Sequence, residues 1–459
     1  MGRRTPAGGR RGARAVVALA LVATTVGACS SRGDEDGGPA STTTGAAPRV
    51  EVEVVPAGGA RLSTHASVLP VLVLDGALVA VGDGAVAPGR ADPLLRSTDD
   101  GRTWTVPRTP DADPGDLSTW SLHEVDGLGI LAGGVSTTLA PPQPVLWVSD
   151  DDGATFTAGA GVADGAVGGT VREVVALDDR LVALGDVQVD GSPVARPATW
   201  TSTDRGRTWV RTLPGDGGPG GPEGGGAAAL VLVGGRLLAP TGDGIVASDD
   251  AGRTWEPIDV PTAPGHRIVD LLSDGGVVVV TTSNSYSDPV ETAMLSSTDA
   301  GTTWRRSAPL PGVRDRDGTG TTLNAPSDLH RLPTGDLVAT TSTAEDYDRY
   351  LPYVLRSTDE GRTWEVADLG QDCPSYEASA RLSPLATAGP LLVAVYECVS
   401  RRRAQLLASV DGGRTWTEAR HPALRAIRVG APFTSGDGRV SVLGGDGTHR
   451  SVVHLTVRR

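Results

Sequence analysis

Short apolar runs separated by turns of Gly, Asp and Pro recur along the chain from residue 50 onward. One unit reads Val171 to Leu177, then Arg180 to Gly185, then, after a variable loop, Ala198 to Ser202. The same order returns as Ile268 to Leu272, Val277 to Thr282 and Met294 to Ser297. The runs are strand-length and rich in Val and Leu, and no segment has the apolar spacing of an amphipathic helix. Val50 to Val55 (VEVEVV) alternates strictly, as a strand with one buried face does. The pattern predicts an all-β chain of repeated units.

A polar turn closes each unit. It reads Ser-x-Asp-x-Gly-x-Thr-aromatic, first as Ser97 to Trp104 and then from Ser149, Ser202, Ser248, Ser297, Ser357 and Ser409. The aromatics are Trp104, Phe156, Trp209, Trp255, Trp304, Trp364 and Trp416, spaced by 52, 53, 46, 49, 60 and 52 residues. Each Asp (Asp99, Asp151, Asp204, Asp250, Asp299, Asp359 and Asp411) can accept N–H groups of its own turn. The Gly two residues later supplies the positive φ a hairpin needs, and the aromatic opens a fourth strand. Seven repeated acids do not imply seven metal or catalytic sites, because turn closure alone accounts for them.

The motif resembles the Asp-box (BNR) repeat of sialidases, sortilin-type receptors, certain xyloglucanases and photosystem assembly factors. The resemblance implies a β-propeller with the box between the third and outermost strands of each blade. It also implies that the boxes lie on the face opposite the usual binding site. Three strand-like runs follow the last box: Ala426 to Gly430, Arg439 to Leu443 and Ser451 to Val457. Joined by the strand from Val50, they make an eighth blade that hides both sheet edges. Eight four-stranded blades over residues 49–459 are therefore expected, with seven as the alternative.

The first residues read differently. Met1 to Arg14 carries five Arg and no acid, and Ala15 to Ala28 is small and apolar, as in a secretory leader too short to span a bilayer. It ends in Val26-Gly27-Ala28-Cys29, which resembles the bacterial lipobox, so residues 1–28 are expected to be removed and Cys29 to carry diacylglycerol. Residues 29–48 lack Val, Ile, Leu and aromatics and should form a tether. Membrane attachment through that lipid alone, on the outer face of the bacterial cytoplasmic membrane, is the expected location.

Net charge is −14, and loss of the five leader arginines would take it to −19. Such a surface repels nucleic acid and favours solubility and cationic ligands. Cys373 and Cys398 remain once Cys29 is assigned; an even pair in an exported protein favours a disulfide, with two separate thiols as the alternative. No spacing among the seven His suggests a metal site, and no cofactor motif is present. His123, His266 and His330 fall at related places in first strands and read as structural.

Candidate recognition residues cluster in loops that do not repeat. Residues 309–326 contain Arg314 and Arg316, residues 343–352 contain Asp346, Tyr347, Arg349 and Tyr350, and residues 283–291 contain Tyr286. Tyr and Arg anchor recognition surfaces. The sialidase resemblance further implies an arginine triad, a Tyr–Glu nucleophile couple and an Asp acid/base. Arg331-Leu332-Pro333 is a poor match to the Arg-Ile-Pro context of the first triad arginine. Tyr376-Glu377 and Tyr396-Glu397 are adjacent pairs, which on a strand point to opposite faces. No catalytic set is assigned. A monomeric binding or assembly module for an unidentified protein or glycan is the leading reading, and a sialidase-like exo-glycoside hydrolase is the alternative.

Overall fold

The computed structural model describes residues 49–59, 71–74, 76–81, 94–109, 117–125, 129–136, 143–177, 180–188, 196–212, 230–241, 244–284, 291–314, 320–321, 323–324, 326–343, 351–367, 369, 380–398, 403–425, 428–434, 439–445 and 450–458. The expected leader, the expected tether and Cys29 lie outside them. Residues from Ala47 onward form one compact unit, an eight-bladed β-propeller of antiparallel four-stranded blades. Blade 3 shows the plan: Gly168–Leu177, Arg180–Gln188, Arg196–Ser202 and Val210–Thr212, paired in that order. Along the described residues the helical content is a single 3-10 turn, Pro422–Arg425.

Blade 8 closes the ring as the strand pattern predicts. Arg428–Thr434, Val440–Gly445 and Arg450–Arg458 are completed by Arg49–Gly59, which pairs antiparallel from Arg49↔Arg458 to Ala57↔Arg450. The alternation of Val50, Val52 and Val54 directs these side chains into the core between blades 7 and 8. In blade 7 the first strand is broken into Ala380–Leu382 and Ala386–Ala388 around Pro384.

The polar turn has one geometry in all seven copies. In blade 4, Ser248 Oγ donates to Asp250 Oδ1 at 2.9 Å, Gly252 N–H to Ser248 Oγ at 2.8 Å, and Thr254 N–H to Asp250 Oδ1 at 2.8 Å. These bonds favour the carboxylate. At Asp299 the hydroxyl and N–H of Thr303 are the main cause, and they hold the pKa at about 2. What this turn adds to stability is present above the ordinary Asp value and is lost as pH falls through about 2.

Two features of the turn were not anticipated. The residue before the Gly also has positive φ, and in six copies it is not glycine: Asp100, Asp152, Arg205, Ala251, Ala300 and Glu360 lie at φ 55–66°. Only Gly412 fills that place in the seventh copy. Moreover, each turn rests on the preceding blade. A Cβ on Gly153 would stand 2.5 Å from Val79 Cγ2 of blade 1, and one on Gly206 2.8 Å from Val148 Cγ2 of blade 2. At these two positions glycine is therefore required for close approach as well as for φ.

A backbone latch adds to this packing. Ala160, four residues past Phe156, donates N–H to Arg207 O and accepts from Trp209 N–H in the blade 3 turn, each at 2.8 Å. Arg108 makes the same pair with Ala154 O and Phe156 N–H in blade 2. Gly58–Gly59 of blade 8 pairs in parallel with Thr103–Trp104 of blade 1. The turn aromatic then packs in the core shared with the preceding blade, as Trp209 does among Leu131, Leu146 and Val148. In six copies the fourth strand begins one residue after the aromatic, and only Thr103–Trp104 includes it.

Gly206→Ala is expected to cost about 2–4 kcal/mol, combining left-handed strain with the clash against Val148. Glu360→Gly, which relieves φ 61° with no such contact, is expected to raise stability by about 0.5–1 kcal/mol. Urea midpoints of the two variants check both signs.

Candidate functional site

The ring is held at its centre by the first strands. Those of blades 8 and 1, 1 and 2, 2 and 3, 3 and 4, 4 and 5, 5 and 6, and 7 and 8 touch in turn. Between blades 6 and 7 the Leu385 N–H donates to Asp328 Oδ2 at 2.6 Å. First strands carry bulges in blades 2, 3, 5 and 8, between Thr119 and Ser121, Val171 and Glu173, Ile268 and Asp270, and Val429 and Pro432. Bulges re-aim the side chains that follow them.

Immediately after the bulges of blades 2, 3 and 5 one register position is polar. It is Ser121 (opposite Gly133), Glu173 (opposite Leu184) and Asp270 (opposite Thr281). Asp328 (opposite Thr340) takes the same place in blade 6, and Ser383 (bonded to Val395) in blade 7. Each partner lies three residues beyond the second-strand residue that faces the serine of the polar turn. The inner wall thus carries three acids at one level.

Their surroundings differ. Burial raises the Glu173 carboxyl to about 7, and His123 Nε2 of blade 2 lies 3.6 Å from Glu173 Oε1. Burial also pushes His123 down to about 4, so near pH 7 its imidazole is neutral. Burial raises Asp270 as well, against the Leu271 N–H bond to its Oδ1. In blade 6, at the register of His123, His330 Nε2 lies 3.0 Å from Asp328 Oδ1. Burial there disfavours the imidazolium, but the bond and charge of Asp328, with the charge of Asp274, outweigh it and raise the pKa. Blade 2 has Ser121 in place of that Asp, and Ser121 Oγ and His123 Nε2 are buried without a hydrogen-bond partner. A wall holding three carboxyl groups, with Glu173 raised to about 7, and unsatisfied polar atoms can bind cationic or hydrogen-bonding groups.

The equivalence of His123 and His330 matches the sequence expectation. His266 does not belong with them, for it precedes its strand and its Nδ1 meets Thr282 Oγ1 at 3.2 Å. Tyr286, Arg316, Asp346, Tyr347, Arg349, Tyr350 and Cys373 lie outside the described residues. Arg314 lies in a hairpin, Val313–Arg314 paired with Gly320–Thr321, inside what reads in sequence as a plain loop. Cys398 ends its strand in a disulfide. Tyr396 is buried in a core cluster whereas Glu397 is not, as alternation requires. Arg331 Nη1 donates to Gly275 O at 2.6 Å, which ties it to the first hairpin turn of blade 5. Among the described residues, no group of three His, Cys, Asp or Glu side chains could hold a metal ion.

The raised Glu173 pKa makes a signed prediction. Its folded value exceeds its unfolded one, so its contribution is intact below the ordinary Glu value and is lost as pH rises through about 7. Glu173→Gln should gain on the parent between pH 5 and pH 8, by about 1 kcal/mol after allowing for solvent screening. Thermal melts of the two proteins at these pH values test it.

No family model matches the sequence, and no curated protein matches it. Solved structures with a similar arrangement include YCF48 from Cyanidioschyzon merolae, at 15% identity over 75% of this chain and 96% of that one, TM-score 0.44. A polysaccharide lyase of family PL25, an ulvan lyase, is 10% identical over 87% of this chain and 93% of that one, TM-score 0.43. The GH74 xyloglucanase from Xanthomonas campestris is 15% identical over 86% and 74%, TM-score 0.39. These likenesses concern the fold and carry no activity to this chain.

Proposed function

We propose that this chain is an exported lipoprotein, held by diacylglycerol on Cys29, whose Asp-box propeller is a monomeric binding module for a protein ligand. One observation carries the reading: the repeated turn residues are consumed in joining blades, while the inner wall presents Glu173, Asp270 and Asp328 at one level. Side chains that hold blades together are not free to recognise a ligand. The acids of the wall and the negative net charge favour a ligand with basic groups. The disulfide at Cys398 supports an oxidising compartment, and Cys373 is its proposed partner.

Residues 49–459, which contain the whole closed ring, are the piece to assay on peptide and glycan arrays. Saturable binding to basic peptides, weakened by salt and by Asp270→Asn, is expected. Release of a reporter from a sialoside would instead establish the glycoside hydrolase reading. For the anchor, labelling of the full chain with radioactive palmitate in a bacterial host should disappear in Cys29→Ser. Labelling that persists in that variant would remove the lipoprotein assignment.

A further inference from the structure

The polar level of the inner wall is satisfied in one blade and left open in another. In blade 6, His330 closes on Asp328 at 3.0 Å, and Asp328 also takes the Leu385 N–H. In blade 2 the place of that acid is held by Ser121, and the carboxyl group beside the imidazole comes from the next blade. Glu173 Oε1 stands 3.6 Å from His123 Nε2, beyond hydrogen-bonding distance. Neither His123 Nε2 nor Ser121 Oγ has a hydrogen-bond partner.

Ser121 and His123 lie two residues apart on one strand and share a face. Ser121 is only 7% exposed. A Cβ on Gly133 would stand 2.7 Å from its Oγ and 3.1 Å from Val171 Cγ1, so the hydroxyl lies against blade 3, which also supplies Glu173. Solvent still reaches this place through the acid, for side-chain exposure is 34% at Glu173 and 21% at His123. The other charges nearby are engaged or turned away. Arg172 gives Nε and Nη2 to Asp186 Oδ2 at 3.0 and 2.9 Å. Glu124 occupies the opposite face of the His123 strand, and the adjoining strands Gly129–Ser136 and Val231–Val233 carry no charge.

We propose that Glu173, His123 and Ser121 form a binding site for a primary ammonium group carried into the channel by a ligand. Such a group has three N–H donors and no acceptor, and these side chains offer unpaired acceptors with one counter-charge. Glu173 supplies the charge and the outermost acceptor. Burial keeps His123 neutral, so its Nε2 accepts while Nδ1 carries the proton. A guanidinium fork suits the two oxygens of one carboxylate, whereas the second acceptor here is a ring nitrogen on another blade. A compact ammonium with rotatable donors fits that arrangement better. Burial also keeps a proton on Glu173 up to about pH 7, and an arriving ammonium displaces it. The site rests on the reading of the chain as a module for ligands with basic groups, and it names the group.

Three fluorescent glycine–serine peptides, amidated at the carboxyl end, are the probes. One is acetylated and holds a single lysine, one is acetylated and holds a single arginine, and one lacks both but has a free amino terminus. Polarisation with the full-length chain in detergent should saturate with the lysine peptide and be about tenfold weaker with the arginine peptide. Affinity for the lysine peptide should rise roughly tenfold from pH 6 to pH 8, as free Glu173 gives up its proton. Glu173→Gln should abolish binding with a melting temperature that reports the fold intact, and Ser121→Ala should weaken it. Saturation with the third peptide makes an amino terminus a source of the ammonium; without it the source is a lysine side chain. The chain contains no lysine, so carbodiimide coupling joins the lysine peptide to a carboxyl group without lysine cross-links inside the protein, and the adduct should map to Glu173. No binding of either amine, equal binding of the arginine peptide, or an adduct confined to Asp270 or Asp328 overturns the proposal. Array peptides bound equally by Glu173→Gln but less by Asp270→Asn would leave the binding module standing and remove this site. Silent arrays with an amine response lost in Glu173→Gln would keep the site and remove the protein-ligand reading.

Discussion

The close approach of each turn glycine to the blade before it is the constraint on which the ring depends. Gly101 meets Val452, Gly153 meets Val79, Gly206 meets Val148, Gly252 meets Val182 and Gly301 meets Leu238. A Cβ on Gly153 or Gly206 would stand under 3.0 Å from a valine of the blade before, and on Gly101, Gly252 or Gly301 it would press on a neighbour that must yield. Around that contact the turn is fixed by three hydrogen bonds within itself, at least one of them to a carboxylate, which is the stronger kind. A charged acceptor inside the turn lets a nearly exposed loop keep one shape. That shape presents a carbonyl, an N–H and an aromatic ring to the upstream blade at once. The motif is therefore an assembly device between blades as much as a hairpin closure within one.

Ring closure imposes a cost at one place. Pairing Arg49–Gly59 with Arg450–Arg458 joins segments at opposite ends of the domain and leaves no free edge on blade 8. In the same arrangement Val52, opposite Leu455, stands where the other blades place the turn aromatic. Blade 7 breaks its first strand at Pro384, and Asp328 of blade 6 reaches across to the Leu385 N–H. That carboxylate also meets His330, so one group serves both the channel wall and the blade 6–7 boundary. At the same register in blade 2, Ser121 leaves His123 to face Glu173 of blade 3 alone. One backbone position thus yields a satisfied ion pair in one blade and orphaned polar atoms in another.

The fold was legible in the sequence because its signals are local. Seven turns at near-constant spacing mark the blades, and the alternation from Val50 to Val55 marks the closing strand. What stayed hidden depends on neighbours in space. Nothing in Ser-x-Asp-x-Gly-x-Thr says that its Gly abuts a valine or leucine of another blade. The positive φ of Ala251 or Glu360 is equally silent, since only the hydrogen bonds around the turn force an ordinary residue into that region. The polar level of the inner wall required the strand registers, and bulges in three of the five first strands that show it displace any count made along the sequence. The hairpin at Val313–Arg314 is two residues a side, too short to leave a pattern.

Function in a repeat fold is most readily found where the repeat fails. Side chains that recur at every blade, such as Asp204, Gly206 and Trp209, answer to neighbouring blades and have little freedom to answer to a ligand. The departures are few: the acids that replace Ser121 and Ser383 at one register, and the junction where Val52 stands in the aromatic's place. In blades 2, 3 and 5 that register follows a bulge of the inner strand, whereas in blade 6 Asp328 stands there without one.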